Sequence, residues 1–321
     1  MKPPRDRLVS LTKANLVWLV AIFLLGTWLA EATSISTLIA YIPQIVWLLP
    51  SLVVLVICGL KKRKRLLAWN VAFTGVFGWL LMGVTVPNIR SEMEGTPFTL
   101  MTFNIEHAAG GWPNVQKLIQ ERKPYLVCLQ EANGPKKLMD AIAALPGYHV
   151  VQYGDLAIAS VDPLDGVQQV PLLPGFQGAL EAHASNGVTV VAVHFPAFAF
   201  ERVGARSLLL IPGHMQSIGR LHQLEAAKLV ELYGKKPDCV ICGDFNGPPR
   251  GQAYRKMTSA FTDTFANKGW GFGYTFPSNL PLIRIDYAFL TDIKPLGAEV
   301  IPTTISDHRP VMFDMLLYRP T

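Results

Sequence analysis

Charge is what this chain has least of. Of its 321 residues, 16% are Asp, Glu, Lys or Arg, against roughly 25% in soluble globular domains. The shortage is local. Residues 1–90 hold ten Lys or Arg and two acids, Asp6 and Glu31, which leaves residues 91–321 with 19 basic and 21 acidic residues. The net charge of +6 therefore belongs to the N-terminal third, and the larger remainder lacks the basic balance of a general nucleic-acid binder. Cysteine is also scarce: Cys58, Cys128, Cys239 and Cys242 are too few for a disulfide scaffold. Cys239 and Cys242 have the spacing of a C-x-x-C redox or zinc motif. They straddle an apolar run that reads as a strand, however, where positions three apart face opposite ways. Four buried thiols without disulfides are expected, which an oxidising compartment permits.

What the N-terminal third has in excess is apolar length. Uncharged hydrophobic stretches occupy residues 15–30, 38–60 and 66–86, and about 20 such residues cross a bilayer as a helix. The first is shorter, but Trp18 and Trp28 near its ends suit interfacial positions. A cleaved signal peptide would explain it only with a small-residue cleavage site, and two further stretches follow. Buried core helices would explain the others, but their length and all-round apolarity argue for membrane spans. Pro43 and Pro50 are expected to kink the second. The N-terminal tail and the 61–65 loop, KKRKR, are basic, while residues 31–37 contain no Lys or Arg. That asymmetry places tail and loop on the cytoplasmic side and everything beyond the third span outside. Between two spans, KKRKR reads as a topology determinant rather than a nucleic-acid patch. The expected organisation is a three-helix anchor in residues 1–90 (spans at about 15–34, 38–60 and 66–86), a linker at 91–96 and a domain at 97–321.

Within that domain, the stretch VICGDFNGPP (240–249) is the most informative. An apolar strand ends in Gly243, and Gly247-Pro248-Pro249 force a loop. Asp244 and Asn246, two apart on extended chain, point the same way and converge on one ligand; an Asx turn serving its own backbone is the bland alternative. Other strands end similarly. The strand at 98–105 runs into Asn104 and Glu106, the 125–129 strand into Gln130-Glu131, the 188–193 strand into His194, and RIDYAFL (284–290) carries Asp286. Asp307 and His308 precede the last strand. Helices are expected at 113–123, 136–145 and 220–233. A sheet edge bearing several carboxylates, two amides and two histidines is costly without a cation, and oxygen ligands without cysteine suit Mg²⁺, Mn²⁺ or Ca²⁺ better than zinc.

The ordered blocks TFNIE, LQE, VHFP, R-x-x-Q, GDFN, RIDYAF and SDH resemble the endonuclease/exonuclease/phosphatase superfamily from residue 97 to the end. The resemblance implies a four-layered α/β sandwich (DNase-I-like) preceded by three transmembrane helices. It implies Mg²⁺ or Mn²⁺ bound directly by Glu131, with Asn104, Glu106 and Asp307 around it. Asp244 would deprotonate the attacking water and Asn246 would position it. His308 would pair with Asp286, His194 would contact phosphate, and Arg220 and Gln223 would be a supporting pair. At 161–162, Val-Asp stand where the family usually has a basic residue. The layout is similar to bacterial membrane phosphatases linked to teicoplanin resistance, which act on undecaprenyl pyrophosphate. This implies a bacterial-type plasma membrane, multi-pass anchoring and an extracytoplasmic catalytic domain. The apolar segment after His194 (residues 195–215) reads as either core or a lipid-admitting lip, with Arg202 and Arg206 at the headgroups. The expected function is metal-dependent hydrolysis of a phosphate ester or pyrophosphate, lipid-linked, with the bilayer as partner. An anchored nuclease is the alternative enzyme, and a catalytically silent adaptor, betrayed by lost metal binding at Glu131, the alternative class. No protein partner is inferable.

Overall fold

The computed structural model describes residues 6–88, 94–198 and 211–318. It divides into two compact units. Among the described residues, the first comprises 6–84 with 211–217 and Arg250–Gln252; the second holds the others.

The first unit contains α1 (Arg7–Thr27), α2 (Ser34–Tyr41), α3 (Ile45–Leu60) and α4 (Lys64–Met82). Two of these, α1 and α4, are long and apolar enough to cross a membrane, and the bent pair α2–α3 makes a third if it counts as one span. The stretch expected as one kinked span at 38–60 is instead two helices at 79°, with the break at Ile42-Pro43-Gln44. Pro43 lacks an N–H and disfavours helix at the residue before it, whereas Pro50 is accommodated inside α3. The polarity of this unit is inverted. Val17, Val53, Val56, Leu60, Val71 and Val76 are exposed, while Thr12, Asn15, Ser51 and Asn70 are buried. Ser51 Oγ donates to Asn15 Oδ1 (2.6 Å), Asn15 Nδ2 to Asn70 Oδ1 (3.0 Å) and Asn70 Nδ2 to Thr12 Oγ1 (2.9 Å). This chain of interhelical hydrogen bonds ties α1, α3 and α4 together.

The second unit begins with β1 (Thr96–Asn104), α5 (Trp112–Arg122), β2 (Leu126–Gln130), α6 (Lys136–Ala143), β3 (His149–Tyr153) and β4 (Leu156–Ser160). Then come β5 (Leu164–Val170), β6 (Ala179–Ala184), β7 (Thr189–His194), α7 (Ile211–Tyr233), β8 (Cys239–Asp244) and α8 (Gly251–Thr258). It closes with β9 (Thr262–Asp263), α9 (Thr264–Lys268), β10 (Asp286–Thr291), β11 (Ile293–Val300) and β12 (Val311–Leu317). The strands form two six-stranded sheets, ordered β11-β12-β1-β2-β4-β3 and β5-β6-β7-β8-β10-β9.

Strand alternation builds the layers. Leu100, Leu126, Val240 and Cys242 fill the core between the sheets. Met101, Phe103 and Val127 face the opposite way, onto Val115 and Ile119 of α5 and Ile142 of α6. Cys239 and Ile241 likewise pack on Ala226 and Leu229 of α7. The result is a helix–sheet–sheet–helix sandwich. All four cysteines are free and buried, and Cys239 and Cys242 lie in separate cores. Helix α7 starts nine residues before the expected 220, so Ile211–Met215 is helix rather than loop.

One buried ion pair fixes the approach to β10. Arg284 donates to Asp263 Oδ1 (3.0 Å) and lies 2.9 Å from its Oδ2. Tyr254 OH also donates to Asp263 (2.7 Å), and the guanidinium lies over the Tyr287 ring at 4.7 Å. Removing one partner strands a buried charge. Arg284→Met is expected to cost about 3–5 kcal/mol, read as a lower denaturation midpoint of the detergent-solubilised chain; an unchanged midpoint would refute this.

A second network sits on β6, where buried Glu181 accepts from Tyr233 OH, Lys236 Nζ (both 2.6 Å) and His183 Nε2 (3.1 Å). Burial works to raise its pKa, but these three partners outweigh it and hold it below the ordinary 4.5. A lowered folded pKa stabilises above the unfolded value, and that stability is lost as pH falls through the folded one. Glu181→Gln should therefore flatten the acid limb of a plot of unfolding midpoint against pH. An acid limb of unchanged slope would contradict the network's role.

Candidate active site

Register assembles the site. In the second sheet, His194 pairs with Asp244 across β7–β8, and Asp286 pairs with Asp244 across β8–β10. In the first sheet, Asn104 of β1 stands level with Gln130 of β2, one residue before Glu131. The two sheet edges meet through Asn104, whose Nδ2 lies 3.1 Å from both Glu131 Oε1 and Asp244 Oδ2.

Around this amide the remaining groups are held by short backbone bonds. Asn104 Oδ1 accepts from Glu106 N (3.0 Å), and Glu106 Oε2 accepts from Asp307 N (3.0 Å). Ser306 Oγ donates to Asn104 O (2.7 Å). Asn246 donates its N–H to Asp244 Oδ1 (2.8 Å) and its Nδ2 to Phe195 O (2.9 Å). Glu106, His107, Glu131 and Asn246 all have left-handed backbone, with φ of 48–51°. Such geometry is costly for residues with a Cβ and gathers where surrounding structure enforces it.

Both histidines face carboxylates. His308 Nδ1 lies 3.0 Å from Asp286 Oδ2 and its Nε2 lies 3.5 Å from Asp244 Oδ2. The Phe276 ring lies 4.9 Å from the His308 ring. Burial alone would neutralise His308, but Asp286 and Asp244 outweigh it and raise its pKa to about 10. His194 Nδ1 lies 2.7 Å from Asp155 Oδ2, while its Nε2 lies 3.8 Å from Asp244 and 3.9 Å from Glu131. Burial opposes its protonation too, but the hydrogen bond to Asp155 and the charges of Asp244, Asp155 and Glu131 raise its pKa to about 9. Burial pushes the Asp244 carboxyl up, against the pull of His308 and with the help of Asp286. Burial also raises Asp307.

The donors available to a cation divide into two groups. Asp244, Asp286 and His308 offer atoms within 4.8 Å of one another among the described residues. Nδ1 of that histidine is hydrogen-bonded to Asp286 and its Nε2 faces Asp244 at 3.5 Å, so both nitrogens are already turned to carboxylates. Glu131, Asn104, Glu106 and Asp307 offer only oxygens, the donor chemistry of a hard divalent cation. The buried His194 Nε2, without a hydrogen-bond partner, faces the same space between Glu131 and Asp244. The residues present fit such an ion.

The structure thus draws together Asn104, Glu106, Glu131, His194, Asp244, Asn246, Asp286, Asp307 and His308. Arg202 and Arg206 lie outside the described residues. Arg220 is exposed; the inward face of α7 instead presents His222 and Glu225. His222 is buried, bonded to Pro196 O (2.8 Å), and its pKa is lowered by burial to about 4. Burial raises Glu225 to about 8. Phe195 is core rather than lip, packed 4.8 Å from the Phe245 ring. Asp155, held in turn by Gln177, is the partner of His194 that sequence reasoning missed. Its only signal was its position just before β4.

The model of the Endonuclease/Exonuclease/phosphatase family matches residues 101–308, and the chain belongs to that family. The family consists of divalent-metal-dependent hydrolases, nucleases and phosphatases among them. Several solved structures share the fold. A Bacteroides vulgatus member superposes with TM-score 0.52 at 20% identity, over 70% of this chain and 100% of that one. One from Bacteroides thetaiotaomicron gives 0.53 at 17%, over 70% and 99%. A 3′ phosphatase from Neisseria bound to a product DNA hairpin gives 0.53 at 20%, over 67% and 98%. No curated protein sequence matches the chain.

Gly243 shows how tightly the strand ends are packed. Its φ is 148°, and a Cβ there would lie 1.9 Å from Val193 O on β7. Gly243→Ala is expected to part β7 from β8, to cost about 1–3 kcal/mol, and to displace Asp244 from His194. A lower unfolding midpoint together with lost ester hydrolysis is the expected result; a variant as stable and active as wild type would refute the packing argument.

Proposed function

We propose that the chain is a membrane-anchored, divalent-metal-dependent phosphoesterase acting on a lipid-linked phosphate or pyrophosphate. The observation that carries the hydrolase chemistry is the convergence of Asp244 and Asn246 with two carboxylate-paired histidines beside an all-oxygen donor set. The inverted polarity of the helical unit supports the anchor. The basic tail and KKRKR loop support a cytoplasmic side for both, with the catalytic unit outside. The formal charge of −2 on residues 91–321 weighs against a polyanionic nucleic-acid substrate.

A divalent cation such as Mg²⁺, held by Glu131 with Asn104, Glu106 and Asp307 around it, would polarise a phosphoryl oxygen and stabilise charge on the leaving oxygen. Asp244 takes the proton from the attacking water; a carboxyl raised by burial is a stronger base than an ordinary Asp. Asn246 orients that water or the phosphate. As the water oxygen bonds to phosphorus, the phosphorus–oxygen bond to the leaving group breaks. Protonated His308, with Asp286 fixing its ring, and His194, fixed by Asp155, offer N–H donors to the phosphate oxygens. Arg202 and Arg206 would meet the lipid headgroup.

The test is orthophosphate release from a detergent-solubilised polyprenyl pyrophosphate. Release that requires Mg²⁺ and falls at least 1,000-fold in Asp244→Ala, roughly the loss of a general base with its positioning role, is the expected outcome. Absence of release from folded, metal-supplied protein that still cleaves a DNA or phospholipid phosphodiester would replace this substrate class with a diester.

A further inference from the structure

Among the described residues of the second unit, the two most exposed large apolar side chains are Trp270 (75%) and Leu280 (64%). Both stand on the stretch between α9 and β10, together with Phe272, which is 44% exposed and stacked on Tyr274 at 5.0 Å. Trp270, Phe272 and Tyr274 line a groove of about 400 Å³, and Pro281, next to Leu280, lines it as well. Residues 269–283 contain no charged side chain. A single exposed apolar residue needs no explanation, but several gathered on one stretch mark a surface for an apolar partner.

What covers that surface follows from where its chain is tied. Gly271, between Trp270 and Phe272, forms an isolated antiparallel pair with Thr85. Thr85 N donates to Gly271 O (2.8 Å) and Gly271 N to Thr85 O (3.0 Å). The Thr85 hydroxyl adds a bond to the same Gly271 carbonyl (2.9 Å), and Asn88 N donates to Asn267 O (2.9 Å). All four residues belong to the second unit. Thr85 also stands three residues beyond Met82, the last of α4, and three residues of chain reach at most about 11 Å. Helix α4 has 19 residues, just enough at about 1.5 Å each to cross roughly 30 Å of hydrocarbon. As a span it therefore ends at the bilayer surface. The covalent chain alone then keeps Gly271 within reach of the headgroup layer, where tryptophan, apolar in its ring and polar at its N–H, is enriched.

The other end of the same stretch touches the candidate active site. Ser278 N donates to Asp307 O (2.7 Å) and Arg309 N to Thr275 O (2.8 Å). Arg309 Nε donates to Ser278 O (2.8 Å), and Arg309 lines the groove beside the aromatic rings. One uncharged stretch thus joins the exposed aromatics to the backbone that carries Asp307 and His308.

We infer that Trp270, Phe272 and Leu280 form a lip that dips into the headgroup layer of the bilayer and holds this edge of the site at the membrane surface. A lipid-linked phosphate then meets the site without leaving the bilayer. This rests on the reading of the chain as membrane-anchored, and it assigns a lipid-facing role to residues 270–280.

The test uses the full chain reconstituted in vesicles of phosphatidylethanolamine and phosphatidylglycerol. Its four cysteines are buried, so a nitroxide on Asn279→Cys, an exposed position beside Leu280, reports on the lip selectively. Power saturation should show that label more accessible to oxygen than to an aqueous nickel chelate. A label on Lys137→Cys, exposed on α6, should show the reverse order. Trp270→Ser combined with Phe272→Ser should shift the Asn279 label to the aqueous order. A measurement that needs no label stands beside this one: the tryptophan emission lost in Trp270→Phe should be quenched by brominated phospholipid. An aqueous Asn279 label, or Trp270 emission untouched by bromolipid, would overturn the inference. A label on Val76→Cys, exposed on α4, separates the two failures. Found in hydrocarbon while Asn279 is aqueous, it leaves the anchor standing and removes the lip alone; found in water, it removes the anchor reading as well.

Discussion

The site depends on one accident of register made permanent by packing: Asp244 stands level with His194 on one neighbouring strand and Asp286 on the other. A slip of one residue in either pairing would turn every side chain of that strand to the opposite face. Gly243 prevents the slip by admitting the Val193 carbonyl where any side chain would intrude. The consequence is electrostatic. Asp155, Asp244, Asp286, Glu131, Glu106 and Asp307 are gathered around two histidines, so the negative groups outnumber the cations even with both rings protonated. A phosphate arriving there meets net repulsion, which falls off slowly in a low-dielectric recess. On the proposed reading, a divalent cation held by the oxygen set would convert that repulsion into attraction, which is why the metal and the anionic substrate belong to one argument.

Much of this was legible in the sequence because the site residues lie at the ends of regular strands. Alternation fixed which of Leu100 and Met101, or Cys239 and Cys242, faces which core, and Asp-x-Asn before Gly-Pro-Pro announced a turning strand. What escaped were partners brought in by tertiary structure alone. Asp155 precedes β4 in the first sheet, yet orients His194 at the end of β7 in the second; no local pattern links positions 39 residues apart. His222 looked like any helical histidine until the packing of α7 placed it under Phe195. The start of α7 was misplaced because residues 195–215 are apolar without a helical stripe, and its first turns belong to a different unit from its last.

The helical unit shows the same limit from the other side. Hydropathy with proline placement marked Pro43 and Pro50 alike as kinks, but could not tell that only Pro43 breaks the helix while Pro50 is accommodated inside α3. Nor could it rank polar residues. Asn15, Ser51 and Asn70 look like blemishes in apolar runs, yet they form a continuous hydrogen-bonded seam among α1, α3 and α4. Such a seam specifies which helix faces pack.

Glu31 marks the point where these two ways of reading diverge. In a topology argument it is merely a residue in a loop without lysine or arginine. In the structure it is a buried carboxylate whose acceptors are used by Tyr41 and Gln252, the latter 221 residues further along the chain. Burying a carboxylate is costly unless its oxygens are satisfied, and here the satisfying N–H belongs to the segment that leaves Asn246 through two prolines.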